Sequence, residues 1–142
     1  MEQERQLVLH ASAVCFGTRA ALIRGASGSG KSALALELMT RGAQLIADDQ
    51  VILHATPEGI ALIAPGAIRG LIEARGVGLL QADAARTALL AVVVDLDQTE
   101  TDRLPPVRNT VLLGASVPLL HNVAAPYFPA ALIQYLRCGR HA

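Results

Sequence analysis

Gly25-Ala26-Ser27-Gly28-Ser29-Gly30-Lys31-Ser32 is a complete G-x-x-x-x-G-K-[ST] phosphate-binding loop. Its flanks agree with it. Leu7 to Phe16 and Arg19 to Arg24 read as two strands turned at Gly17-Thr18, and the second feeds the loop. Ser32 to Arg41 carries Leu34, Leu38 and good helix formers, with Gly42 behind it as a C-cap. In that strand-loop-helix setting the N–H groups of Ala26 to Lys31 are expected to form a nest at a helix N-terminus, where dipole and unpaired donors favour a polyphosphate. Lys31 is the only lysine among twelve basic residues, the other eleven being arginine. A compact, flexible ammonium has been kept where the loop needs it to reach the β- and γ-phosphates. Ser32 is the residue expected to place its hydroxyl on Mg²⁺, and ATP is the expected nucleotide.

Working outward, short strands are expected at Gln44 to Ala47, Val51 to Ala55 and Ile60 to Ala64, the last two turned at Thr56-Pro57-Glu58-Gly59. This meander interrupts the alternating βαβ order. Ala88 to Leu96 reads as a buried central strand and Asp97 to Asn109, with Pro105-Pro106, as a surface loop. Thr110 to Leu120 is strand-like around Gly114, and Tyr127 to Cys138 reads as an apolar helix closed by Gly139. The expected fold class is α/β: a single P-loop domain over residues 1–142, with a mixed, partly antiparallel central sheet flanked by helices.

Composition narrows the function classes. The formal net charge is zero and the arginines are dispersed, so no basic stripe points to nucleic acid or an anionic membrane. The longest apolar run, Ala88 to Val94, is far too short to span a bilayer. Met1 to Gln6 is polar and leads into no secretory h-region, which makes the cytoplasm the expected compartment. Cys15 and Cys138 lie far apart, outside any C-x-x-C, and read as ordinary thiols. A hydrophobic content of 52% with only 3% aromatics points to a homo-oligomer covering part of the apolar surface.

Two acidic sites compete for the chemistry. Asp48-Asp49 follows Leu45-Ile46-Ala47, and adjacent residues on a strand point to opposite sides unless the strand ends there. One carboxylate would face the phosphates and could deprotonate an attacking hydroxyl; the alternative is a solvated turn. Asp95, ending Ala91-Val92-Val93-Val94, is by pattern the better match to a Walker B acid. Asp95 as metal ligand defines an ordinary small-molecule P-loop kinase or ATPase. Asp48-Asp49 at the phosphates defines a less common architecture.

Gly25 to Ser32, Thr40-Arg41-Gly42, Leu45-Ile46-Ala47-Asp48-Asp49 and, downstream, Glu73-Ala74-Arg75-Gly76-Val77-Gly78 follow one another in an order that resembles the catalytic domain of HPr kinase/phosphorylase. The resemblance is strongest from His10 to Gly78. It implies that His10 is an active-site histidine orienting the acid pair, and that Asp49 is the proton acceptor for seryl phosphorylation with Asp48 as its neighbour. It implies a second metal ligand in Glu73, so that Mg²⁺ would be held by Ser32 and Glu73, and an active-site arginine in Arg103. An HPr-type phosphocarrier as substrate and a hexameric assembly are implied as well. Three positions depart from the family pattern. Ala33 replaces an acid after Lys-Ser, Gln81 replaces an aspartate, and Val117-Pro118-Leu119-Leu120-His121-Asn122 offers only His121 and Asn122 where a basic Gly-Arg-Asn motif is linked to dephosphorylation. The expected activity is therefore ATP-dependent serine phosphorylation with the reverse phosphorolysis in doubt. The rivals are the Asp95 kinase and a non-catalytic nucleotide-binding switch, the latter encouraged by Ala33 and Gln81.

Overall fold

The computed structural model describes residues 5–142, so Met1 to Glu4 of the polar leader lie outside the described residues. The strand expected over Leu7 to Phe16 is two, β1 (Gln6–Leu9) and β2 (Ser12–Phe16), broken at His10-Ala11. The break has a topological cause: β1 pairs antiparallel with β5 (Val51–Thr56), whereas β2 pairs with β3 (Arg19–Arg24) and β4 (Gln44–Ala47). His10 thus stands where the chain crosses from one part of the sheet to another. The helix α1 spans Lys31–Thr40 and closes at Gly42, whose φ of 101° is the left-handed geometry that favours glycine.

Strand β9 (Ala88–Thr99) is the hub of a nine-stranded mixed sheet. One edge runs parallel to β3, in register from Arg19↔Leu89 to Arg24↔Asp95. The other edge divides. Its first residues pair antiparallel with β6 (Gly59–Ile63), which continues to β5 and β1; its later residues pair parallel with β11 (Ala115–Asn122), which continues to β10 (Arg108–Leu112). The polar stretch expected as a loop from Asp97 to Asn109 is shorter than that: β9 runs on to Thr99 and β10 begins at Arg108. A small second sheet pairs β7 (Leu71–Ala74) with β8 (Gly78–Gln81), preceded by a 3-10 turn at Gly66–Ile68.

Two cores follow from strand alternation. On one face Val14, Ala21, Ile23, Leu45, Val92 and Val94 pack against α1 and against α2 (Phe128–Cys138) through Leu34, Leu38, Leu132 and Leu136. On the other, Ala13, Leu22, Ile46 and Val93 meet Val51, Leu53, Ile60 and Leu62 of one leaf and Leu112 and Val117 of the other. Both helices therefore lie on a single face, and the opposite core is sheet against sheet. The fold is α/β with a mixed sheet, as the sequence predicts, and α1 is anchored on it through the buried Leu34, Ala35 and Leu38.

Candidate active site

The loop enters on β3 and turns at Gly25, where φ is +157° and an added Cβ would sit 2.6 Å from Ser29 Oγ and 3.2 Å from Leu96 Cβ. Helix α1 then starts from Gly30 with no side-chain cap and no acid in its first turn. Its positive end is uncompensated, and the N–H groups of Gly28, Gly30, Lys31 and Ser32 find no backbone acceptor among the described residues. Ser29 Oγ is also buried without a partner among them. This cradle fits an anion that brings many acceptors. One expected donor is taken: the Ala26 N–H donates to both Asp97 carboxylate oxygens at 3.0 Å. Lys31 is buried and folds back to donate from Nζ to the carbonyl oxygens of Gly25 (2.9 Å) and Ala26 (3.1 Å).

Below the loop lies a network centred on Asp48, only 6% exposed. Its Oδ1 accepts from Ser12 Oγ and from Ser32 Oγ, each at 2.7 Å, and its Oδ2 accepts the Glu73 backbone N–H at 3.1 Å. Three elements, β2, α1 and β7, are thereby tied to one carboxylate. Asp49 points elsewhere. β4 ends at Ala47, and Asp49 takes a left-handed φ of 76°, which aspartate tolerates better than most residues. Its carboxylate is 68% exposed and lies 3.3 Å from His10 Nδ1. Asp48 and Asp49 nevertheless line one cavity of about 600 Å³ together with His10, Ser32, Glu73 and Arg75. The divergence expected of neighbours on a strand is overcome because the strand stops before them.

Serine and carboxylate oxygens from Ser32, Asp48 and Glu73 form a hard, oxygen-only donor set that suits Mg²⁺. Among the described residues no three of His, Cys, Asp and Glu converge as a metal cluster. A divalent ion here would draw the rest of its shell from phosphate and water oxygens, as Mg²⁺ commonly does.

Arg103 is not brought to this cavity: it is exposed on the segment between β9 and β10 and is not among the lining residues. Asp95 is also outside it. Its Oδ2 lies 3.5 Å from Arg24 Nη2 and its Oδ1 accepts the Asp97 N–H, so it braces the strand pair leading to the loop. Three residues were not singled out by the sequence. Ser12 has no local signature. Arg75 approaches the loop, its Nη2 3.9 Å from where a Cβ on Gly28 would stand. Asp97 had a signal: the alternation Asp95-Leu96-Asp97 continues the strand and puts both acids on one side.

The glycine loop opening α1, the parallel β3–β9 pair beside it and the acid network below it sit in an α/β domain with a mixed sheet whose loop carries the P-loop sequence pattern. Over residues 4–110 the chain matches the model of the HPr Serine kinase C-terminal domain. It belongs to that family. It is 38% identical over 112 residues to an HPr kinase/phosphorylase of Exiguobacterium sp., covering 70% of this chain and 36% of the relative. With an HPr kinase/phosphorylase of Enterococcus faecalis it shares 34% identity over 140 residues, covering 80% of this chain and 45% of that protein. The chain thus spans less than half the length of these relatives. The solved structure of the Hpr(Ser) kinase/phosphatase from Coxiella burnetii shares the fold, with a TM-score of 0.75 at 23% identity over 92% of this chain and 88% of that one. No helix among the described residues is long and apolar enough to cross a membrane.

Proposed function

We propose that this chain is a catalytic domain that transfers the γ-phosphoryl group of ATP to a serine of an HPr-type phosphocarrier. The observation that carries the reading is the opening of the Asp49–His10 pair onto the same cavity as Ser32 and the uncapped start of α1. A proton acceptor and a phosphate cradle face one space, which in-line transfer requires.

In this reading the loop N–H groups and the α1 dipole hold the nucleotide phosphates, and Lys31 swings from the Gly25 and Ala26 carbonyls onto them. Ser32 and Glu73 hold Mg²⁺, with Asp48 fixing the Ser32 hydroxyl from beneath. When bound, Mg²⁺ offsets charge on the β- and γ-phosphates. The Asp49 carboxylate accepts the proton of the incoming serine hydroxyl as its oxygen bonds to the γ-phosphorus, the bond to the bridging oxygen breaks, and ADP leaves. His10 positions that carboxylate. Arg75, rather than Arg103, is the arginine this chain itself supplies near the loop; Arg103 would act only if its segment moves or serves another copy in the assembly. The domain is expected to work as a homo-oligomer, a hexamer by family likeness. The segment Val117 to Asn122, which offers only His121 and Asn122 in place of the basic motif, argues for the kinase direction over phosphorolysis, whereas Ala33 and Gln81 favour the non-catalytic switch.

The test is incubation with γ-labelled ATP, Mg²⁺ and an HPr-type carrier, followed by mapping of the label. Label on a carrier serine is expected. Tight nucleotide binding with no label on any carrier would replace this reading with a nucleotide switch. Turnover that survives Asp49→Asn but not Asp95→Asn would replace it with the Asp95 kinase.

A further inference from the structure

Among the described residues, Ala26 to Ser29 make no hydrogen bond beyond the octapeptide except at Ala26, whose N–H donates to both carboxylate oxygens of Asp97 at 3.0 Å. Asp97 stands on β9, 71 positions further along the chain. Its backbone is held there: the Asp97 N–H donates to Asp95 Oδ1 at 2.9 Å, and Asp95 Oδ2 lies 3.5 Å from Arg24 Nη2 at the end of β3. The Ala26 carbonyl in turn accepts from the Ser29 N–H at 3.0 Å and from Lys31 Nζ at 3.1 Å. One residue thus links the wall strand β9 to the loop lysine. Asp97 itself is exposed and belongs to neither core.

The tie matters most when the loop is loaded. In the reading of the loop as a nucleotide site, Lys31 leaves the Gly25 and Ala26 carbonyls for phosphate oxygens, so this limb loses both lysine contacts just as the loop N–H groups must converge on one anion. Gly25, Gly28 and Gly30, at φ 157°, 81° and 102°, make the stretch costly to order, because glycine loses more freedom than any other residue. A loop already held in its concave shape binds without that cost. The Asp97 carboxylate also repels phosphate, but at an exposed position water and salt screen the repulsion, whereas the bonds to Ala26 act at contact distance. The tie outweighs the charge. We infer that Asp97 is a positioning residue for nucleotide binding: from β9 it holds Ala26 so that the loop keeps its curvature when Lys31 swings onto the phosphates. The inference rests on the nucleotide-site part of the proposed function and does not depend on the acceptor.

The test is calorimetric titration of the full chain with ADP and Mg²⁺ for wild type, Asp97→Ala and Asp97→Asn, beside a denaturant midpoint for each. Asp97→Ala is expected to weaken ADP binding by about fivefold or more at an unchanged midpoint, the effect of a charge-assisted hydrogen bond reduced by exposure. Asp97→Asn keeps an oxygen that can accept the Ala26 N–H and should bring the affinity back to within about twofold of wild type. The Ala26 amide proton, followed by NMR, should move upfield in Asp97→Ala and stay near its wild-type position in Asp97→Asn. ADP bound by Asp97→Ala as tightly as by wild type, or more tightly, would overturn the inference and leave the nucleotide site intact. An asparagine variant as weak as the alanine one, or a loss of affinity matched by a lowered midpoint, would overturn it too. ADP ignored by the wild type would remove the nucleotide site and this inference together.

Discussion

Asp48 and Asp49 are adjacent, both acidic and both at the cavity, yet their surroundings give them different work. Asp49 is exposed and has His10 as its partner at 3.3 Å, so its substitution should touch chemistry and spare the fold. Asp49→Asn is expected to lower phosphoryl transfer by roughly 10²–10⁴-fold, the usual worth of a positioned base, with ATP affinity unchanged. Steady-state kinetics beside a nucleotide-binding titration would check this, and an equal fall in affinity would count against the base assignment. Asp48 is the reverse case. Asp48→Ala leaves Ser12 Oγ, Ser32 Oγ and the Glu73 N–H without their acceptor, a loss of about 3 kcal/mol when orphaned buried donors cost about 1–3 kcal/mol each and the cavity side admits some water. A lowered denaturant midpoint at unchanged m-value is the expected result; a midpoint equal to wild type would show that the network holds nothing together. The sequence made the phosphate loop plain because a single octapeptide encodes it. It left the acids ambiguous because their separation depends on where β4 stops and on a left-handed φ at Asp49, which aspartate adopts only at modest preference. Ser12 reaches Asp48 across 36 positions of chain, a contact that no local pattern marks.

At the level of elements, the junction between β9 and β10 shows how a polar segment becomes ordered. Glu100 Oε1 and Oε2 accept from Arg108 Nε and Nη2, each at 3.1 Å, and Oε2 also accepts the N–H groups of Thr101 and Asp102. The base of the segment is thereby clipped to the start of β10. The hydrogen bond from the Arg108 side chain is the main cause that holds the Glu100 carboxyl below its ordinary range. A carboxyl depressed in the folded state stabilises the fold above its unfolded value, near 4.3, and loses that contribution as the pH falls through the lower folded value. Amide protection at Thr101 and Asp102, taken relative to the intrinsic exchange rate at each pH, should therefore fall on acidification below about pH 4.3, and Glu100→Gln should already show the reduced protection at neutral pH. Protection that is flat with pH in the wild type would contradict the clip. The sequence suggested an unbroken loop here because Asp97 to Asn109 is polar, whereas its ends are strand residues, Thr99 paired with Asn122 and Arg108 and Asn109 paired with Leu119 and Pro118. It likewise hid the β7–β8 pair behind a glycine-rich motif. The β10–β11 turn was obscured because its left-handed positions are Leu113 (φ 50°) and Gly114 (φ 76°) instead of the Asn-Gly that usually announces such a hairpin.

Over the whole molecule, the division of one β9 edge between two leaves encloses the second core without a helix, and it leaves strands at the margins. Among the described residues β1 pairs only with β5, and β10 only with β11, so each presents an edge with no partner strand among them. Soluble proteins blunt such edges with lysines, prolines or inward charges. These carry apolar side chains instead: Val8 on β1 is 57% exposed and Val111 on β10 is 67% exposed. The apolar-rich composition that led the sequence reading to an oligomer thus has particular addresses on the surface. Self-association through these edges is expected to make the wild-type chain sediment as a species heavier than one protomer, with the equilibrium shifting over two decades of protein concentration. Val8→Lys combined with Val111→Lys should move it toward the monomer, since a lysine on an open edge opposes strand-to-strand pairing at little cost to either buried core. Far-ultraviolet dichroism and the denaturant midpoint of the double variant should stay near wild type, which separates lost assembly from lost folding. Val77, on the β7–β8 turn and 75% exposed, supplies the contrast: Val77→Lys lies away from both edges and should leave the sedimenting species unchanged. A wild-type chain that sediments as a protomer at every concentration would remove both the edges as interfaces and the oligomeric state from the proposed function; dissociation by Val77→Lys alone would transfer the interface to the hairpin beside the P-loop cavity.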